Sequence, residues 1–248
     1  MSLPPPPSAR LTVIGVTDLL LVVIVVLGGL RLLLPLLGGI AAPDPLSGDA
    51  LRSGLLPLLL SILAQSGMTL AALYLVVIRM RGLTWQDLGL VAPPPGWLTR
   101  GVLLALVAVP LVGLVNLTVQ RILDQPIDNP QIELLSPVAI SLSNYLVMLV
   151  LAAGLVPLVE ELAFRGLLQG WLRERFGPQA AMAVSALVFA SMHGIPSLIP
   201  ALLVVGGLLA WLYERSGSLW PSIAMHAAFN AIMTTLLYLA LQAGAFAE

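Results

Sequence analysis

Long apolar runs, each close to the length with which an α-helix crosses a lipid bilayer, dominate this chain. Such a crossing takes about 20 predominantly apolar residues. Pro, Gly and charged residues divide the sequence into such runs, which predict an all-α fold: a polytopic transmembrane helical bundle of about seven spans. The predicted spans are Leu11–Leu34, Leu55–Ile78, Leu98–Val119, Val138–Leu168, Ala180–His193, Ser197–Tyr213 and Leu219–Leu241.

Composition agrees with a membrane protein and excludes several other classes. The 248 residues are 59% hydrophobic and 9% charged, and mean hydropathy is +1.02, values typical of polytopic membrane proteins. A net charge of −1 argues against nucleic acid as a partner. The absence of cysteine excludes disulfides, thiolate metal sites and a cysteine nucleophile. One membrane domain, residues 1–248, accounts for the chain, with a Pro-rich tail at residues 1–10.

The fourth run is too long for one straight crossing. We expect a kink near Pro157, because Pro removes a backbone donor and Gly154 lies just before it. A segment between the second and third runs, Leu83–Leu90, predicts either a short amphipathic helix or a surface turn. In the helical interpretation Thr84 and Asp87 form the N-terminal cap.

Arginine placement predicts the orientation, because cytoplasmic segments are enriched in basic residues. If the N-terminus is inside, three arginines fall in outer segments and seven in inner ones. We therefore predict a cytoplasmic N-terminus, and the short loops favour a prokaryotic cytoplasmic membrane. The inner arginines are Arg10, Arg79, Arg81, Arg100, Arg173, Arg175 and Arg215.

Ionisable side chains inside the apolar runs are the candidate functional residues. Such groups are costly to hold in hydrocarbon and usually face a protein-lined site. The chain has only two histidines, and both lie inside predicted spans. Helix rise places Glu160 and His193 about 20 Å, and His226 about 10 Å, along their helices from the inner boundary. Tilt and kinks can close this difference, which predicts one buried polar site. Its members are Glu160, Glu161, Arg165, His193, His226 and Asn230.

Spacing along the helices suggests which residues act together. Glu161 and Arg165 are four apart and can pair along one face. Adjacent helical residues point about 100° apart, so we expect Glu160, rather than Glu161, to face the chemistry. A purely structural ion pair is the alternative.

Two further pairs share this four-residue spacing: His226 with Asn230 and Phe189 with His193. Each pair therefore projects from one helical face. The first can hold a water molecule, a carbonyl oxygen or a metal ion. A lone histidine on an apolar helix is more often a packing residue, but three such motifs together favour a site.

The ordered motifs Glu160-Glu161-x-x-x-Arg165, Phe189-x-x-x-His193 and His226-x-x-x-Asn230 resemble the signature of the CPBP intramembrane proteases. That family includes the type II CAAX prenyl endopeptidases and the bacteriocin-immunity, lysostaphin-resistance-like proteins. The resemblance covers about residues 155–232, which it identifies as a catalytic core. The Trp85–Leu90 segment is similar to a stretch that is common upstream.

The resemblance implies an integral-membrane endopeptidase that acts on a membrane-associated peptide or protein substrate. Glu160 and His193 would activate a water molecule, and His226 and Asn230 would stabilise the oxyanion. Glu161, Arg165 and Phe189 would support them. The cofactor is unknown. In a metal-assisted version Glu160, His193 and His226 would bind Zn²⁺, which accepts three protein ligands and a water molecule.

Two other functions use the same residues. A structural or assembly subunit of a membrane complex could retain the fold without activity, because fold does not establish function. A haem-binding membrane subunit could use His193 and His226 as axial ligands. That reading leaves Glu160 and Asn230 without a role.

Overall fold

A computed structural model describes residues 11–36, 55–125 and 141–244 of the chain. These residues form helices and turns, and none of them lies in a strand, as the all-α prediction requires. Within this part of the chain the α-helices are α1 (Val16–Leu36), α2 (Leu55–Ala72), α3 (Trp97–Leu123), α4 (Leu142–Val150), α5 (Val156–Glu161), α6 (Gly170–Met192), α7 (Ile199–Ser216) and α8 (Leu219–Gln242). The π-helical stretches Leu73–Met80, Leu151–Leu155 and Leu162–Gln169 continue α2, α4 and α5.

Five helical segments in the described part of the chain are long and apolar enough to cross a membrane. The segment Leu142–Met192 covers most of the fourth and the fifth predicted spans, and α1 begins at Val16 rather than Leu11. The helical membrane fold is therefore confirmed, and the count of seven is approximate. The predicted start at Val138 and the Pro-rich tail lie outside the described residues. The other four segments are Leu58–Met80, Trp97–Leu123, Pro196–Ser216 and Leu219–Gln242.

The long segment Leu142–Met192 changes its geometry at two places. Before Pro157 the backbone widens into the π-helical stretch Leu151–Leu155, an irregularity at which helices commonly bend. The dihedral angles stay helical there. Gly177, by contrast, leaves helical geometry with φ 79° and ψ 171°. The sequence analysis expected an irregularity beside Pro157 and a connection between the spans that end at Leu168 and begin at Ala180. In the structure that connection is helical except at Gly177.

Charged side chains join several elements at one end of the bundle. Arg81, just after α2 and its π-helical extension, bonds Asp18 of α1 at 2.8 Å. Arg173 of α6 bonds Glu214 of α7 at 2.9 Å, and Arg175 donates to a backbone carbonyl just ahead of α1. These contacts hold the start of α6 in a helix where a loop was predicted. The sequence analysis assigned these arginines to the same side of the membrane, and in the structure they lie at the same end of the bundle.

The Leu83–Leu90 segment is a turn rather than a helix. Its predicted capping pair is present, because Asp87 Oδ2 accepts hydrogen bonds from Thr84 N at 2.8 Å and from Thr84 Oγ1 at 2.6 Å. The carbonyl of Gly89 accepts a hydrogen bond from the first residue of α8 at 2.9 Å. Gly89 has φ 97°, a conformation that favours glycine. The turn is therefore docked against the connection between α7 and α8.

Close packing of helix pairs positions the polar motifs. Helix α3 packs along α8, and α6 packs along α7. Glycine permits both approaches, because a side chain at Gly101 would collide with the carbonyl of Pro221. A Cβ at Gly206 of α7 would lie only 3.2 Å from the ring of Phe189 on α6. Helix α5 packs against α8 beside these pairs, which brings the three sequence motifs into one region.

Candidate active site

The three sequence motifs converge in the interior of the bundle. The ring of Phe189 provides a common contact, with its centroid 4.8 Å from the imidazole of His193 and 5.8 Å from that of His226. The predicted residues therefore form one cluster, although up to 70 positions separate them along the chain. They come from α5 and its π-helical continuation (Glu160, Glu161, Arg165), from α6 and its end (Phe189, His193) and from α8 (His226, Asn230).

Glu161 is the centre of a buried hydrogen-bond network. Its side chain has no exposed surface. Oε1 accepts a hydrogen bond from Nδ1 of His226 at 2.9 Å, and Oε2 accepts one from the hydroxyl of Ser222. A carboxylate removed from water requires such donors, because its desolvation is otherwise too costly.

Arg165 balances the charge of Glu161, as the four-residue spacing predicted. Its Nη1 lies 3.3 Å from Glu161 Oε1, a distance that makes an ion pair although Nη1 has no hydrogen-bond partner in the described structure. Nη2 donates to the carbonyl of Gly206 at 3.1 Å. The guanidinium carbon lies 4.4 Å from the centroid of the Phe189 ring, which adds a cation–π contact.

His226 connects the two neighbouring glutamates through its two ring nitrogens. Nδ1 donates to Glu161, and Nε2 lies 3.7 Å from Oε2 of Glu160. The second distance suits an ion pair and is too long for a direct hydrogen bond. Both glutamates therefore contact the same histidine, although the divergence of adjacent helical side chains led us to expect that only Glu160 would reach it. The physical reason is that an imidazole presents nitrogen atoms on two sides, so side chains that diverge by about 100° can both reach it.

The two glutamates differ in access. The side chain of Glu160 is 26% exposed, whereas that of Glu161 is fully buried. An incoming molecule can therefore meet Glu160 without displacing the network around Glu161. This difference supports the prediction that Glu160 faces the chemistry and that Glu161 belongs to its frame.

His193 stands at the end of α6, where Gly194 turns the chain with φ 71°. Its Nδ1 donates to the carbonyl of Phe189 at 2.8 Å, so a neutral ring keeps a lone pair on Nε2. Within the described residues, the ion-pair contact of Glu160 under 4 Å is with His226 and not with His193. Glu160 and His193 can therefore cooperate only through a molecule that lies between them.

Asn230 lies one turn after His226 on the same face of α8. Its Nδ2 donates to the carbonyl of Ala152 at 2.8 Å, in the π-helical stretch ahead of α5. A side-chain amide has two N–H groups, so one donor is left for a ligand. This bond fixes Asn230 against the element that leads to Glu160.

Ser222 is the site residue that the sequence analysis missed. It is fully buried and donates to Glu161 from α8. Ser222, His226 and Asn230 follow one another at four-residue intervals, and so form a polar stripe on one helical face. This four-residue spacing is the sequence signal by which Ser222 could have been identified.

The proposed zinc ligands are not arranged as a metal centre. Among residues 11–36, 55–125 and 141–244, no three His, Asp or Glu side chains form a group that could hold a metal ion. The arrangement of Glu160, His193 and His226 therefore does not fit a three-ligand zinc site, and zinc dependence remains a prediction from the sequence resemblance.

Comparison with known proteins agrees with the motif resemblance. Residues 142–232 match the family model described as type II CAAX prenyl endopeptidase Rce1-like. The match spans every residue of the cluster and Ser222, and it starts before the core predicted at 155–232. The Trp85–Leu90 segment lies outside it. No curated protein and no solved structure matches the chain.

Proposed function

We propose that this integral membrane protein is an endopeptidase that hydrolyses a peptide bond with a water molecule activated by Glu160 and His193. One observation carries the proposal. A partly exposed carboxylate, Glu160, stands beside an imidazole, His226, whose other nitrogen is held by the fully buried Glu161. The match to a CAAX protease family supports the same reaction class.

Glu160 acts as the general base. Its carboxylate takes a proton from water as the water oxygen forms a bond to the scissile carbonyl carbon, and the carbonyl π electrons move onto oxygen. When the oxyanion collapses, the C–N bond breaks and the proton on Glu160 passes to the leaving amine. A positioned base of this kind contributes about 10²–10⁴-fold to the rate.

His193 orients the same water molecule. Its Nδ1–H is occupied by the carbonyl of Phe189, so Nε2 can accept a hydrogen bond from water. Because Glu160 and His193 do not contact each other directly, a water molecule held between them allows both groups to act on it. His193 thus contributes to positioning and shares the work of proton removal.

His226 and Asn230 stabilise the oxyanion. Nδ1 of His226 donates to Glu161, and Nε2 donates to the developing charge when it also carries a proton. The free N–H of Asn230 is a second donor. Preorganised donors in a site that excludes water are worth about 3 kcal/mol each.

The buried frame maintains this charge pattern. The guanidinium of Arg165, whose Nη1 lies 3.3 Å from Oε1, balances the buried carboxylate of Glu161. Neutrality matters because an uncompensated charge is costly inside the bundle. Arg165 therefore acts through Glu161 rather than on the substrate.

The substrate we propose is a membrane-associated peptide or protein segment, cleaved by an enzyme of a prokaryotic cytoplasmic membrane. The N-terminus lies on the cytoplasmic side, as the arginine bias indicates. Because Glu160, His193 and Asn230 are only half-buried, they are the groups that such a segment would meet.

The proposal is tested with a peptide library and purified protein in proteoliposomes. Wild type should cleave members of the library, and Glu160→Gln should not. Glu174→Gln, which changes a carboxylate at the charged end of the bundle, is the matched control and should cleave normally. Equal cleavage by wild type and Glu160→Gln would favour the structural-subunit alternative. A haem absorption spectrum in the purified protein would favour the haem-binding one.

A further inference from the structure

We propose that Ser222 is a positioning residue, whose hydroxyl holds the Glu161 carboxylate in the orientation that supports His226. The effect that we expect on catalysis when Ser222 is replaced rests on the proposed function. The structural effect that we expect, a change at the His226 imidazole, does not depend on that function.

The hydroxyl of Ser222 has one proton and two acceptors within reach. They are Oε2 of Glu161 and the carbonyl oxygen of Leu209, the latter at 3.2 Å. A charged acceptor forms the stronger hydrogen bond, and the contact with Glu161 is also the shorter one. Ser222 therefore donates to Glu161.

The orientation of Glu161 needs this donor because a competing partner is adjacent. The terminal torsion of a glutamate has only a weak intrinsic preference, so its hydrogen bonds determine the direction of the two oxygens. Arg165 has two buried groups without hydrogen-bond partners in the described structure, Nε and Nη1. Nη1 lies only 3.3 Å from Glu161. A carboxylate released by Ser222 would rotate toward Arg165, where bidentate pairing is favourable.

Rotation toward Arg165 would weaken the support of His226. With Oε2 bound to Ser222, Oε1 faces Nδ1 of His226 at 2.9 Å. Once the carboxylate turns, Nδ1–H loses its acceptor and the ring is free to reorient. Nε2 would then no longer be held next to Glu160.

Ser185 offers a matched control. It is also a fully buried serine, and its hydroxyl donates at 3.0 Å to the carbonyl of Phe164, close to the site but away from Glu161. Ser185→Ala and Ser222→Ala each remove one buried hydroxyl. Only the second should affect His226.

The first test observes His226 directly by NMR of ¹⁵N-histidine-labelled full-length protein in detergent. The two histidines give two pairs of ring-nitrogen signals, and a His193→Asn sample assigns them. Ser222→Ala should shift the His226 ring nitrogens and speed solvent exchange of Nδ1–H, and Ser185→Ala should leave both unchanged. His226 signals identical in Ser222→Ala and wild type would overturn the inference, whether or not a cleavable substrate has been found.

The second test measures cleavage with the substrate identified for wild type. Ser222→Ala should lower kcat by about tenfold with KM little changed, comparable to the loss of the hydrogen-bond partners that orient metal-ligating histidines in other proteins. Ser222→Thr, which retains the hydroxyl, should recover most of the rate. A normal kcat for Ser222→Ala would contradict the proposed role while leaving the peptidase function intact. Absence of wild-type cleavage would contradict the function and leave the NMR result to decide the role of Ser222.

Discussion

Glu161 accepts a hydrogen bond from Nδ1 of His226 at 2.9 Å, and both side chains are buried. The bond links α5 to α8 across 65 positions of the chain. It also determines which nitrogen of His226 is directed at Glu160, because the two ring nitrogens differ once one has a fixed partner. The second glutamate of the motif is therefore a partner of the histidine as well as of Arg165.

Glu160→Gln should abolish most of the activity without unfolding the protein. Glutamine has nearly the same size but cannot take a proton from water, so turnover should fall by about 10²–10⁴-fold. The side chain is partly exposed, which limits any change in stability. Initial cleavage rates in proteoliposomes, compared with Glu174→Gln, measure the effect. Turnover within twofold of wild type would remove Glu160 from the mechanism.

Asn230→Ala should lower kcat by about 10²–10³-fold, the loss expected for one of two oxyanion donors. It also removes the hydrogen bond to Ala152, which should cost about 1 kcal/mol of stability. Thermal unfolding in detergent and kcat, measured on the same preparation, separate the two effects. A modest fall in Tm with an unchanged kcat would leave Asn230 with a structural role only.

Arg165→Ala should act mainly on folding. It leaves the buried Glu161 without its counter-charge, which can cost about 3–5 kcal/mol. The double variant Glu161→Gln, Arg165→Ala should recover part of that loss, because Gln is neutral, its oxygen can still accept from His226, and its amide N–H can donate to the hydroxyl of Ser222. Thermal unfolding of wild type and of the two variants measures the loss of stability and its recovery. An Arg165→Ala protein as stable as wild type would show that the pair does not stabilise the fold.

Single-cysteine labelling should place the charged end of the bundle in the cytoplasm. The native chain has no cysteine, so each introduced thiol reports alone. Exposed positions 79 and 215 should resist an impermeant reagent added outside intact cells, whereas position 125, beyond the other end of α3, should react. Position 81 is unsuitable because Arg81 bonds Asp18. Labelling at 79 and protection at 125 would invert the orientation.

Metal dependence can be tested independently of the mutations. If zinc takes part, a chelator should abolish cleavage and Zn²⁺ should restore it. Activity that survives chelation would instead support a metal-free mechanism that uses the same residues. Elemental analysis of the purified protein provides a second measurement, and stoichiometric zinc that is lost together with activity would contradict the metal-free mechanism.

Local periodicity was enough to predict the membrane class and the short-range pairs. Apolar runs predict helices because a chain in lipid must satisfy its backbone hydrogen bonds within each segment. The ion pair of Glu161 with Arg165 follows from helix geometry, because residues four apart are neighbours on one face. The helix over residues 170–176 was not predicted, because its charged residues favour a loop between two spans and its contacts with other helices are not visible in the local sequence.

Tertiary packing alone decided how those short-range pairs combine. The rotation of α5 about its axis determines that Glu161 is buried and Glu160 accessible, and neighbouring helices set that rotation. The hydrogen bonds from His226 and Ser222 to Glu161 join residues more than 60 positions apart. The periodicity of a single helix therefore cannot predict them. The sequence by itself determined which polar residues enter the membrane and which face of each helix they share. The structure decided which of them meet, because distances between helices depend on side-chain packing along their whole length.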